Sequence, residues 1–207
     1  MKIYDISRPL NDSAPVWPGD EPYRFSRKLS IADGASVNLG SISLSVHAGS
    51  HADAPVHFLD GGAGIDAMGL SVYIGPAAVI DVSGHATITV EIIESVDFGD
   101  SARLLLRTGG WPEANEFPSE FPVIAHDVPA YLWSRGIVLL GLDVPSVDLF
   151  DSKDLPNHHA LYRHGIHILE ALQLQDVPPG RYELIALPLR LEGADGSPVR
   201  AILRTME

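Results

Sequence analysis

Apolar residues in this chain recur as short runs bounded by Gly, Pro, Asp and Asn, a pattern that suits strands buried on both faces. Residues 102–107 and 137–142 are the clearest of these runs, and 77–82, introduced by Gly75-Pro76, is a third. Strands are also expected at 2–7, 166–169, 182–191 and 199–204, the last two joined by a hairpin connection over 192–198. Residues 36–46 alternate in their later half, so they are expected to form a half-buried strand that delivers His47. Three short helices are expected. One covers 90–96 after the N-cap Thr89; one follows Asp127, with Pro129 in its first turn and Gly136 at its end; one covers 158–163 and is capped by Asn157.

The remaining segments carry loop chemistry. Residues 8–21 hold Pro9, Pro15, Pro18 and Gly19, and 58–64 is a glycine-rich turn. The stretch 113–122, with two prolines and three glutamates, is expected to be an exposed flap or interface element, and 143–148 a polar loop that exposes functional groups. Strands and helices alternate too irregularly for a doubly wound parallel sheet, and no GxGxxG follows a strand. The expected class is therefore α/β, mixed and β-rich.

Length and charge narrow the picture further. A chain of 207 residues suits one well-buried core, so residues 1–207 are expected to form a single domain. No apolar run reaches the ~20 residues that cross a bilayer, and the first residues lack a signal-peptide apolar stretch, so a cytoplasmic address is expected. The absence of cysteine excludes disulfides and thiol catalysis. A net charge of −13 disfavours nucleic acid and anionic membranes, whose binding depends on Lys and Arg, and leaves a small molecule as the expected partner.

One stretch carries the chemistry. Residues 47–57 contain His47, His51, Asp53 and His57, all odd-numbered, so on an extended backbone they would project from one face. Gly49 and Pro55 oppose a helix there, but a straight strand from His47 to Asp53 would span about 20 Å, far too long for one ion with bonds of about 2 Å. The segment must therefore curl, with Gly49 free to take a positive φ and Pro55 aiming His57 back. Imidazoles with a carboxylate form an N/O site suited to zinc, with manganese or nickel as alternatives, and three ligands leave a position open for water. Trp17, held between prolines, is either a loop anchor or an aromatic wall for a ligand.

His47-x-Gly49-Ser50-His51-x-Asp53-x-Pro55-x-His57 resembles the signature of the cyclase-like metal-dependent hydrolases. Residues 15–20 (PVWPGD), 151–153 (DSK), 158–161 (HHAL) and 183–189 (ELIALPL) extend the resemblance over nearly the whole chain, toward the bacterial arylformamidase (kynurenine formamidase) branch. The resemblance implies a three-layer β/β/α swivelling fold, a homodimer, and hydrolysis of N-formyl-L-kynurenine to L-kynurenine and formate in tryptophan catabolism. It also implies two zinc ions bridged by Asp53, with His47 and His51 on the first and His158 and Glu170 on the second. His57 then corresponds to the proton carrier, and Trp17 would stack on the substrate's ring. Ser50 stands where the wider family has threonine, which retains the hydroxyl. Adjacent side chains point apart, so only one of His158 and His159 should face the site, and the resemblance favours His158. An isatin-hydrolase-like enzyme opening a cyclic amide, or a metal-binding protein without turnover, would carry the same short signature.

Overall fold

The computed structural model describes residues 1–112 and 116–206. Its strands are β1 (Ile3–Asp5), β2 (Arg24–Leu29), β3 (Leu39–Ser43), β4 (His51–Asp53), β5 (Ile74–Asp81), β6 (Thr87–Ile88), β7 (Arg103–Arg107), β8 (Val123–Ile124), β9 (Leu139–Leu142), β10 (His167–Glu170), β11 (Gly180–Ile185), β12 (Gly196–Pro198) and β13 (Ile202–Thr205). The α-helices are α1 (Val90–Glu94), α2 (Val128–Ser134) and α3 (Pro156–Arg163).

Nine of these strands form one mixed sheet in the order β1-β13-β11-β5-β7-β9-β10-β4-β12. The run β5-β7-β9-β10 is parallel and both flanks are antiparallel. The parallel centre explains the uninterrupted apolar runs, because each face of it is covered. Leu104 and Leu106 of β7 enter a core with Ile93 of α1, Leu132 of α2 and Leu161 of α3. Leu105 between them enters the opposite core with Ile6, Tyr73, Leu139 and Leu169. All three leucines are fully buried, and truncating one to alanine costs about 2–5 kcal/mol. The mixed, β-rich α/β architecture is the one expected.

Several local expectations are corrected. Residues 36–43 are exposed and only 44–46 are half-buried: β3 pairs with the charged β2 in a separate two-stranded ribbon whose residues are all exposed, including Ile42 at 62% and Phe25 at 48%. His47 lies within a turn closed by Ala48 N–H on the Ser45 carbonyl (3.0 Å), past the end of that strand. The loop 143–148 is buried throughout rather than exposed. Its Asp143 is consumed internally, accepting N–H bonds from Thr108 (3.0 Å) and Gly109 (3.0 Å).

Toward the C-terminus, the two expected strands do pair antiparallel as β11 and β13, but β11 stops at Ile185 and the connection 192–198 is not a free turn, because its β12 pairs with β4. Helix α3 starts at Pro156 after Leu155 in a left-handed conformation (φ 41°), so Asn157 lies inside the first turn instead of capping it. The expected exposed flap includes 113–115, which lie outside the described residues; beyond them, Phe117 packs edge-on against Trp17 and Trp111. No helix among the described residues is long and apolar enough to cross a membrane.

Candidate metal centre

The site is built around β4, the shortest kind of strand in the sheet and the one with the most polar cargo. Gly49 precedes it at φ 65°, the left-handed turn the motif required, and an added Cβ there would lie 2.8 Å from Leu10 Cδ2. Ser50 then clamps the segment: its hydroxyl donates to the Ala171 carbonyl (2.6 Å) and accepts the Arg8 N–H (2.9 Å). Across the sheet, His51 stands opposite Glu170 of β10 and Asp53 opposite Gly196 of β12. The period of two puts His51 and Asp53 on the same face, and Pro55–His57 turns back in one 3-10 turn that brings His57 beside them.

The side chains converge on Asp53. Its Oδ1 lies 3.2 Å from His47 Nδ1 and 3.4 Å from His51 Nε2, and its Oδ2 lies 3.5 Å from His158 Nε2. Glu170 closes the other side, 3.5 Å from His51 Nε2 and 3.6 Å from His158 Nε2. Two donor groups result, His47/His51/Asp53 and Asp53/His158/Glu170, with Asp53 shared. His159 joins neither, nor do His85, His126, His164 and His167. A third group, His47/His57/Asp195, sits alongside.

These residues fit a cation. Both oxygens of Asp53 are buried without a hydrogen-bond partner, a costly state for a carboxylate unless a positive charge completes it. Each neighbouring imidazole has one nitrogen already committed. His51 Nδ1 donates to the Gly49 carbonyl (2.9 Å), His158 Nδ1 to Asp148 (2.7 Å), and His47 Nε2 to Asp195 (3.0 Å). The uncommitted nitrogens all face Asp53, and each becomes a lone-pair donor when a metal displaces its proton. Two ligand atoms held about 2.0–2.1 Å from zinc in tetrahedral geometry lie about 3.4 Å apart, which is the spacing seen here.

Charge tells the same story. Burial alone would suppress protonation of His51 and His158. The surrounding carboxylates overcome it, Asp53 and Glu170 for His51 and also Asp148 for His158, raising both to about 10. Burial raises Glu170, and the neighbouring Asp53 charge adds to it. Burial also works against Asp53, but the three imidazoles hold its carboxyl well below the ordinary range. The cluster thus gathers positive charge, from protons when no metal is bound. His57 behaves differently: burial lowers it, with His47 and His158 reinforcing this against the pull of Asp53. It is neutral at pH 7.

A cavity of about 390 Å³ opens onto the cluster, lined among others by Trp17, His57, Trp111, Phe117 and His158. Trp17 sits between its loop and this cavity. One face stacks on Phe150 (centroids 4.9 Å, 20°), while the ring forms part of the cavity wall. Sequence reasoning missed two carboxylates. Asp148 lay in the loop read as exposed, and Asp195 in the segment read as a hairpin connection; a carboxylate in an otherwise apolar or glycine-rich connection was the only available sign of either.

The chain is similar to known proteins along nearly its whole length. The Cyclase family model, described as "Putative cyclase", matches residues 4–149. A kynurenine formamidase of Bacillus mycoides (strain KBAB4) is 48% identical over 97% of this chain and 96% of its own. One from Geobacillus thermodenitrificans (strain NG80-2) is 48% identical over 98% and 97%. Among solved structures, a potential metal-dependent hydrolase with cyclase activity superposes with TM-score 0.84 at 31% identity, covering 98% of this chain and 96% of that one. Isatin hydrolase A from Labrenzia aggregata gives TM-score 0.84 at 25% identity, covering 100% and 94%. With the family model matching residues 4–149 and 48% identity to kynurenine formamidases over nearly its whole length, the chain belongs to the cyclase family.

Proposed function

We propose that this chain is a zinc-dependent arylformamidase that hydrolyses N-formyl-L-kynurenine to L-kynurenine and formate in tryptophan catabolism. The observation that carries the reading is the buried, unpartnered Asp53 carboxylate between two histidine-containing donor groups, in a chain that matches kynurenine formamidases along its length. His47, His51 and Asp53 would hold one ion, and Asp53, His158 and Glu170 a second. Zinc bound there supplies Lewis acidity and lowers the pKa of water from 15.7 toward about 7.

The chain's own residues do the rest. His57, neutral and partly exposed to the cavity, accepts the proton of the attacking water and hands it to the nitrogen of the departing aromatic amine. The oxygen of water joins the formyl carbon, the carbon–nitrogen bond breaks, and formate and the free amine leave. Trp17 holds the aryl ring against the cavity wall. Asp20, the carboxylate of the cavity lining that lies outside the metal cluster, suits the α-ammonium group of the substrate. A homodimer in the cytoplasm completes the proposal, the exposed apolar side chains of the β2-β3 ribbon being the surface a second copy would cover.

The structural likeness to isatin hydrolase A favours one rival, the opening of a cyclic amide. A zinc-reconstituted assay on N-formylkynurenine and on isatin separates the two. Formamide hydrolysis that disappears with chelator and returns with zinc supports the proposal. Preference for isatin replaces it, and inert zinc-loaded protein points to metal binding without turnover.

A further inference from the structure

The three imidazoles around Asp53 are not anchored alike. His51 and His158 each commit Nδ1 and turn Nε2 inward, whereas His47 commits Nε2, to Asp195 Oδ2 at 3.0 Å, and turns Nδ1 toward Asp53 at 3.2 Å. That same Asp195 oxygen lies 3.5 Å from Nδ1 of His57, whose ring is tilted against that of His47 with centroids 4.1 Å apart. We propose that Asp195 is a positioning residue that makes His47 bind metal through Nδ1 and, through one carboxylate oxygen, holds His57 in register with it. The part concerning His57 rests on the proposed hydrolysis; the part concerning His47 needs only the metal.

The backbone around Asp195 is fixed in a way that serves this role. Its carbonyl accepts the Ala54 N–H at 2.9 Å, and the next residue, Gly196, stands opposite Asp53 in the β4-β12 register. A Cβ on Gly196 would fall 2.9 Å from His47 Cε1 and 3.0 Å from the Ala52 carbonyl. His47 therefore packs its Cε1–Nε2 edge directly against Gly196 while Asp195 accepts from the same Nε2. Two adjacent residues, about 150 positions along the chain from His47, determine which of its nitrogens is free. Because an imidazole donates from only one nitrogen when neutral, the acceptor at Nε2 selects the tautomer whose lone pair is on Nδ1. His57 meets the same oxygen at a longer 3.5 Å, an electrostatic contact that turns Nδ1 toward Asp195 and leaves Nε2 as the basic nitrogen.

The test uses zinc-loaded native protein and the variants Asp195→Ala, Asp195→Asn and Asp195→Glu. Zinc affinity is measured by chelator competition, kcat and KM are measured separately, and a long-range proton–nitrogen NMR spectrum reads the imidazole tautomers. In the native protein His47 should carry its proton on Nε2, opposite to His51 and His158. Asp195→Ala should weaken zinc binding by about 10- to 100-fold. At saturating zinc its kcat should fall by a similar factor with little change in KM, and Asp195→Glu should recover part of both. Native His47 protonated on Nδ1 overturns the assignment. So do zinc affinity and kcat within about twofold of native in folded Asp195→Ala or, should that variant not fold, in the near-isosteric Asp195→Asn. Should the native protein fail to cleave the formamide, the proposed hydrolysis falls, while the tautomer and the zinc affinity still decide the role of Asp195 toward His47.

Discussion

Asp148 holds His158 twice over: its Oδ2 accepts both the backbone N–H of His158 (3.1 Å) and the ring Nδ1–H (2.7 Å), while Oδ1 takes the N–H of Asn157 (3.0 Å). One carboxylate thus caps α3 and orients a side chain that the helix carries. Asp148→Ala should lower zinc affinity by about 10- to 100-fold and stability by about 1–2 kcal/mol. Chelator competition and urea unfolding measure the two. Unchanged zinc affinity would mean that helix packing alone orients the ring.

His57→Ala should lower kcat by about 10²- to 10⁴-fold while zinc content is retained. Loss of zinc would instead move His57 into the ligand set. Because burial lowers its pKa and the reaction uses its neutral form, the acid limb of kcat/KM should fall at a pH below the ordinary 6.5 of histidine.

Metal-free protein should lose stability as pH rises. His51 and His158, raised to about 10 from 6.5, add stability that is complete below pH 6.5 and lost as pH climbs toward 10. Thermal melts of chelated protein from pH 6 to 10 should show a falling Tm, whereas zinc binding should strengthen with pH as protons cease to compete. Zinc addition at pH 8 should release protons, measurable by titration calorimetry in buffers of different ionisation enthalpy. A flat Tm profile for chelated protein would contradict the charge arrangement described for the cluster.

Trp17→Ala should reduce kcat/KM by about 3- to 10-fold, the loss of one aromatic contact of about 0.5–1.5 kcal/mol. A lower Tm with unchanged kcat/KM would leave Trp17 only the role of anchoring its loop on Phe150.

Gly49→Ala should destabilise the protein by about 1–2 kcal/mol, because φ 65° disfavours a side chain and the new Cβ meets Leu10 Cδ2 at 2.8 Å. The displaced turn should carry zinc affinity down with it. Urea unfolding and chelator competition check the pair; native values in both would show that the turn is malleable.

What the sequence revealed follows the range of the interactions. His47, His51, Asp53 and His57 sit within eleven residues, so their spacing and Gly49 were enough to require a curled donor cluster. The central strands were readable because both faces of β5, β7 and β9 are buried, which leaves no polar alternation to confuse the run. The β2 strand, RFSRKL, was not readable: it is charged and exposed, and only pairing with β3 makes it a strand. Asp148 and Asp195 were missed for a related reason. A carboxylate in a connection looks like a solvated turn residue until the fold sets an imidazole beside it, and for Asp195 that imidazole belongs to a residue 148 positions away.

The placement of β4 between β10 and β12 also dictates when the centre can exist. As the chain leaves the ribosome, His47, His51 and Asp53 emerge long before His158 and Glu170, and β4 has no neighbouring strand until residues 167–170 have been made. Closing so long a loop adds an entropic cost that bound metal offsets only after both donor groups are assembled. In the proposed enzyme, the second donor group is therefore assembled only late in biosynthesis. The paired donor groups are thus complete only in chains whose sheet has closed around β4.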